Sequence, residues 1–156
     1  MRSSKRDLMR NFVVTLVILA LVWCALPARA DSGAMRVYIP RIGLDLPVGE
    51  CPLVDGYHII GSGVCHLEGT ATIDHDWARI TLAGHTPGIF SDLVYVREGD
   101  QIMLWNSGAV EIYRVVLIAV TTVDDTQWLQ PTTAETLTLI TCAGDLRRVV
   151  HAERES

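Results

Sequence analysis

No C-x-x-C pair occurs anywhere in these 156 residues, and the four cysteines, Cys24, Cys51, Cys65 and Cys142, stand singly. That excludes the ligand spacing of a structural zinc site. Charge is scarce as well, at 20% of residues, and it is unevenly spread. Residues 1–30 hold five of the 13 basic groups against Asp7 alone, which leaves eight basic and 17 acidic residues beyond them, a balance of −9. A body that acidic has no general attraction for nucleic acid, and no such partner is expected. No long amphipathic helix pattern, internal repeat, low-complexity segment or C-terminal apolar anchor can be found. The one acidic pair, Asp124-Asp125, even with Glu50 and Glu111 as further oxygen donors, falls short of a calcium site. No metal and no cofactor is expected.

What the chain does have is apolar residues, 49% of the total. At this length they suffice for one domain with a real core and not for two. Met1–Arg10 is basic, and Phe12–Leu26 is almost wholly apolar up to Pro27. This reads as an export signal or membrane anchor over 1–30, with Ala28-Arg29-Ala30 as a small-x-small cleavage site. The apolar run is shorter than the roughly 20 residues a spanning helix prefers, which favours cleavage; taking in Asn11 and Ala28 would permit a retained anchor. Either way the basic cluster keeps the N-terminus in the cytoplasm and puts everything after Asp31 outside. Residues 31–35 are a spacer and 36–156 the folded domain.

Within that domain the pattern is of short strands. Met35–Pro40 alternates, Arg41–Val48 follows as a turn and second strand, and Tyr57–Ile60 is a short apolar run. A loop-rich stretch from Gly61 to about Asp76 leads to a strand over Ala78–Ala83, which ends at Gly84-His85. Ile89–Val96 fits a short helix or turn. Gln101–Trp105 and the long Ala109–Val120 make a hairpin across Asn106-Ser107-Gly108, and Thr121–Glu135 is a longer loop. About eight strands with no long helix predict an all-β barrel or sandwich.

The most informative stretch is Glu135–His151. Thr and Leu alternate from Thr136 to Leu139, so Thr138, Ile140 and Cys142 share one face and Leu137, Leu139 and Thr141 the other. The run stops at Cys142, Ala143-Gly144-Asp145 makes a tight turn, and a second strand starts at Arg147-Arg148. A thiol at a strand end is most often a small buried hydrophobe. Beside a fixed cation and a histidine it becomes a candidate nucleophile, because the thiolate attacks and imidazole can exchange the proton. Arginine, always charged, can hold a substrate carbonyl as its oxygen becomes an oxyanion. His85, which also ends a strand, would converge on Cys142 if both ends lie at one rim.

Thr138-Leu139-Ile140-Thr141-Cys142 matches the T-L-x-T-C signature of sortases, the cysteine transpeptidases of bacterial cell surfaces. Leu82-Ala83-Gly84-His85 with Phe90-Ser91, Leu93 and Gly99-Asp100 resembles the segment that carries the sortase histidine. Ile39-Pro40-Arg41-Ile42-Gly43 with Leu46-Pro47-Val48 is similar to the family's first strands. The resemblance covers essentially 36–151. It implies an eight-stranded barrel with short helices or turns, preceded by the N-terminal signal or anchor helix. It also implies Cys142 as nucleophile, His85 as acid/base and Arg147 as the active-site arginine, with Arg148, on the opposite face, as the alternative. The family's groove residues map to Ala83, Thr138 and Ile140, with Thr121–Glu135 as a groove wall.

By the same resemblance, an LPXTG-like sorting signal near the C-terminus of a secreted protein is cleaved between Thr and Gly through a thioester. An amine of a peptidoglycan precursor or a pilin lysine then resolves it. The resemblance favours a single-pass membrane protein with its catalytic domain outside the cell; cleavage after Ala30 would make it secreted instead. Two features depart from the family: a very short turn between Cys142 and Arg147, and Thr86 where arginine is common after the histidine. The rival readings are a non-catalytic envelope binding module on the same barrel, a hydrolase without an amine acceptor, and an L,D-transpeptidase. The last expects a Ser-His-Gly-Cys-type motif that this chain lacks.

The remaining candidates have plainer readings. His58, His66 and His75 are solvated or structural, and His151 is a surface residue at the end of the last strand. Trp77, Trp105 and Trp128 are packing residues. Cys24 lies in the apolar run. Cys51 and Cys65 could pair in an exported domain, and spacing alone leaves that open.

Overall fold

The computed structural model describes residues 34–73 and 78–156. The readings placed on the N-terminal 30 residues, and those on His75 and Trp77, lie outside these. The described residues form ten strands: β1 (Arg36–Ile39), β2 (Leu44–Cys51), β3 (Leu53–Val54), β4 (Tyr57–His58), β5 (Val64–Leu67), β6 (Arg79–Ala83), β7 (Gln101–Asn106), β8 (Ala109–Thr121), β9 (Thr136–Ala143) and β10 (Leu146–Arg154). Eight of them close a barrel in the order β1-β2-β5-β6-β9-β10-β8-β7, and β3 and β4 form a separate two-stranded hairpin. The helical content of the described residues is three 3₁₀ turns, at Pro40–Ile42, Ser91–Tyr95 and Gln127–Leu129. Closure leaves no exposed sheet edge in the barrel.

The alternation in β9 is cashed out as two environments. Leu137 and Leu139 point into the barrel with Ile80 and Leu82 of β6, Val150 and Ala152 of β10, and Tyr113 and Val115 of β8. Phe90 and Leu93, from the stretch read as a short helix or turn, plug the same core and are wholly buried. A smaller apolar cluster lies apart from this core: Cys51, Cys65, Leu67 and Ala83, with Ile60 and Leu129 packed on it.

One strand of the barrel escaped the sequence reading. β5 lies inside the stretch taken as loop, and all four of its residues, Val64, Cys65, His66 and Leu67, are buried. A strand covered on both faces has no polar face to alternate with, so the period that betrays a half-buried strand is missing. β5 runs parallel to β2 and antiparallel to β6. The other parallel pair is β6 with β9, in register Ala83 to Ile140. That pairing brings the ends of two strands far apart in sequence to one rim.

Candidate active site

Cys142 stands next to last in β9, half-buried, as the one free cysteine among the described residues. The two-residue link Gly144-Asp145 joins β9 to β10 with Ala143 opposite Leu146, and Gly144 takes φ +65°. That left-handed conformation is one a glycine adopts without strain. The tight link puts Arg147 directly opposite Cys142 across the β9–β10 pair, while Arg148 faces Thr141. Because directly opposed residues share a face, Arg147 lies on the thiol's side of the sheet and Arg148 on the other. Among the described residues no carboxylate forms an ion pair with Arg147.

On the other side of Cys142 lies the end of β6. The parallel register continues one residue past Ala83, since the Gly84 N–H donates to the Ile140 carbonyl at 3.3 Å. β6 ends at Ala83, and His85 and Cys142 each stand two residues beyond the last paired residues, Ala83 and Ile140. The Thr141 hydroxyl donates to the Gly84 carbonyl at 2.7 Å. With that proton committed, the Thr86 hydroxyl, 2.7 Å from Thr141 Oγ1, is the donor of the second bond. The residue beside the thiol and the residue beside the imidazole are thus tied together. Gly84 cannot carry a side chain here: a Cβ would meet Ile89 Cγ2 at 2.8 Å and Phe90 Cδ2 at 2.9 Å. His85 itself is exposed, and its Nε2 lies 3.1 Å from the Ile60 carbonyl.

A groove of about 220 Å³ opens on this outer face. Ala83 and Ile140 line it, Arg147 stands in it, and its walls come from Tyr57, His58 and Ile60 on one side and Val123, Asp125, Thr126 and Leu129 on the other. Of the residues assigned to the groove from sequence, Ala83 and Ile140 do line it. Thr138 is not among the lining residues. It is wholly buried, because its cross-strand neighbour His151 sits 3.4 Å from its hydroxyl and the Trp128 ring packs on His151 with centroids 6.0 Å apart. His151 is accordingly half-buried instead of lying at the surface, and burial, aided by the nearby Arg79 cation, pushes its pKa down.

The wall over 121–135 is an organised loop. Asp125 accepts from the Thr121 hydroxyl, from the Gln127 backbone and side-chain amides and from the Trp128 indole. These bonds, that from Thr121 foremost, hold its carboxyl below the usual carboxylate range, although burial opposes them. Arg79 donates to the Gln127 carbonyl at 2.6 Å and lies 5.8 Å from the Trp128 ring centre. Asp125 therefore organises the loop rather than standing solvated, and Trp128 packs as expected. The opposite wall is the β3–β4 hairpin and its return, 52–63, bracketed by a Cys51–Cys65 disulfide with Cα atoms 5.3 Å apart. Among the other histidines His66 is structural: buried, it meets Glu50 Oε2 at 3.0 Å and the Ala71 carbonyl at 2.9 Å. Neither the Ile60 contact nor the Thr86–Thr141 tie carried a signal in the sequence, since both join segments that only the fold brings together. Among the described residues no cluster of His, Cys, Asp and Glu could hold a metal ion.

A family model described as Sortase domain matches residues 37–155. Among solved structures, the chain is similar to a lid mutant of sortase A from Corynebacterium diphtheriae, with 27% identity and a TM-score of 0.66 over 83% of this chain and 74% of that one. It is also similar to sortase C from Clostridium perfringens SM101, with 28% identity and a TM-score of 0.67 over 78% and 68%. A sortase D5 transpeptidase from Clostridium perfringens, 24% identical, shares the fold with a TM-score of 0.70 over 80% and 79%. No curated protein matches by sequence.

Proposed function

The chain belongs to the sortase family of cysteine transpeptidases, and on that footing we propose that Cys142, His85 and Arg147 are its nucleophile, its acid/base and its oxyanion-stabilising cation. The observation that carries this reading is the register around Cys142: Arg147 opposite it on β10, and the end of β6 that leads to His85 alongside it. Arg147 is favoured over Arg148 because it shares the thiol's face and stands in the groove.

In the proposed reaction the Cys142 thiolate attacks the threonine carbonyl carbon of an LPXTG-like sorting signal. The oxygen takes up negative charge facing the Arg147 guanidinium. As the C–N bond breaks, the His85 imidazolium gives its proton to the departing glycine amine, leaving a Cys142 thioester and neutral imidazole. An amine of a peptidoglycan precursor or pilin attacks the thioester, its proton passes to His85, and Cys142 leaves as thiolate. The apolar floor of Ala83 and Ile140 suits the Leu-Pro portion of the signal. The partners are secreted proteins bearing such a signal. Segment 1–30 holds the enzyme at the cell membrane with the barrel outside, cleavage after Ala30 being the alternative.

The test takes the purified full-length chain with Leu-Pro-x-Thr-Gly and Leu-Ala-x-Thr-Gly peptides, with and without an amine acceptor, followed by mass spectrometry. Thr-Gly cleavage, a Cys142 acyl adduct and an amine-ligated product are expected, all lost in Cys142→Ala. Arg147→Ala should slow acylation by on the order of 10²–10³-fold, with Arg148→Ala near wild type. Cleavage without ligation would point to a hydrolase. No adduct from folded protein with a free Cys142 thiol would overturn the substrate class in favour of a binding module, and the reverse arginine result would reassign the cation.

A further inference from the structure

The loop that lines one wall of the groove also touches the histidine, and little holds it. β3 and β4 are two residues each, their link Asp55-Gly56 takes positive φ at both positions, and most side chains from 52 to 63 are exposed. A hairpin this short has almost no stability of its own. Its fastenings are few. The Ile59 N–H donates to the Pro52 carbonyl at 3.0 Å, the Leu53 N–H to Glu68 Oε2 at 2.7 Å and His58 Nε2 to the Glu68 carbonyl at 2.9 Å. The covalent fastening is the Cys51–Cys65 disulfide, which closes the loop at its base. Both cysteines are buried, packed with Ala83, Leu67 and Ile60. Cys65 pairs with Ala83 across β5 and β6, two residues before His85. The disulfide therefore fixes the loop's two ends at β2 and at β5, the strand beside β6, and Ile60 is set against His85.

We propose that the disulfide and the loop it closes are a positioning element for the imidazole: they hold the Ile60 carbonyl on His85 Nε2, so that Nδ1 is the ring nitrogen that handles protons in the reaction. A carbonyl oxygen only accepts, so the 3.1 Å contact requires the hydrogen on Nε2. The neutral ring then has its lone pair on Nδ1, and the contact orients the ring as well as choosing the tautomer. In the first half-reaction Nδ1 gives its proton to the leaving amine and the ring stays protonated at Nε2. In the second, Nδ1 takes the proton of the acceptor amine. The charged and titratable groups that line the groove are Tyr57, His58, Asp125 and Arg147, and Cys142 stands at the strand end. Among the described residues none of these is hydrogen-bonded to the His85 ring, which meets the Ile60 carbonyl alone.

This inference rests on His85 being the acid/base, and the experiment separates the two. The full-length chain in detergent, labelled with ¹⁵N-histidine, is studied by ring NMR beside Cys51→Ser/Cys65→Ser, Glu68→Ala and His85→Gln, with acylation kinetics on each. In the wild type the neutral His85 ring should carry its proton on Nε2. Without the disulfide the ring should become a tautomer mixture, and kcat should fall on the order of tenfold or more, as expected when a reacting group loses its placement. Glu68→Ala, which removes only the acceptor of the Leu53 N–H, should shift both readouts the same way by less, and it keeps the test alive should the double variant fail to fold. An Nδ1–H ring in the wild type overturns the proposal. So does an unchanged tautomer and kcat in the disulfide-free protein or, if that does not fold, in Glu68→Ala. Activity retained by His85→Gln would instead overturn the catalytic role of His85, while the tautomer comparison still decides what the loop does.

Discussion

At the scale of single residues, two hydroxyls that take no part in bond making tie the segment of His85 to the strand of Cys142. Thr141 points away from the groove, into the barrel, yet its hydroxyl holds the Gly84 carbonyl and receives that of Thr86. Thr86 is the position where the family commonly has arginine, and here it anchors the start of the His85 loop to the Cys142 strand. A buried hydrogen bond of this kind is worth about 1 kcal/mol. If that energy serves to align the imidazole, Thr86→Val should lower kcat about fivefold. KM for a sorting-signal peptide should hold, and Thr86→Ser should restore the rate. A Val variant with unchanged kcat would reduce the tie to a structural bond.

Among the elements, the loop between β8 and β9 packs on a histidine of β10 whose proton affinity the fold lowers. Trp128 packs between Arg79 and His151, and His151 sits on Thr138. Burial and the Arg79 cation depress the His151 pKa in the folded state. Below about 6.5, the unfolded value, the unfolded chain therefore binds the proton more readily than the folded one. The sign follows: the group's contribution to stability is full above that pH and is lost as pH falls toward the folded value. Melting curves at pH 7.5 and 5.5 should show a larger drop in Tm for the wild type than for His151→Gln. Equal drops would mean that the wall does not sense His151. Asp125 works in the same direction at lower pH, since its depressed carboxyl keeps its hydrogen bonds until the medium falls below the ordinary carboxylate range.

Across the whole molecule, the barrel separates the site from its main polar fastening. At the start of β9, Glu135 is buried and accepts from the Tyr113 hydroxyl, while Arg154 bridges it to Glu111. Burial and the adjacent Glu135 push the Tyr113 pKa up, so the phenol stays protonated as the donor. Seven residues along β9, about 23 Å at strand rise, separate this cluster from Cys142. Tyr113→Phe leaves a buried carboxylate short of a donor, which costs about 1–3 kcal/mol. Tm should drop by several degrees, on the order of 4 °C per kcal/mol for a domain between the small and large size classes, with kcat unchanged. A matching loss of kcat in fully folded protein would show that the two ends are coupled.

The sequence by itself determined what depends on local pattern. The Thr-Leu alternation put Leu137 and Leu139 on one face and Cys142 on the other. Ala143-Gly144-Asp145 closed the turn that sets Arg147 opposite the thiol, and the residues around His85 and Cys142 carried the family likeness. It also marked the all-β architecture, because half-buried strands leave a period of two. Tertiary structure alone decided the rest. β5 was hidden because burial on both faces erases that period. Thr138 was buried because Trp128 and His151, from other elements, cover it. Arg79, Thr86 and Ile60 acquired roles through partners 48, 55 and 25 residues away. Such contacts follow from parallel pairing, barrel closure and a disulfide, and these bring together segments whose local sequences carry no trace of each other.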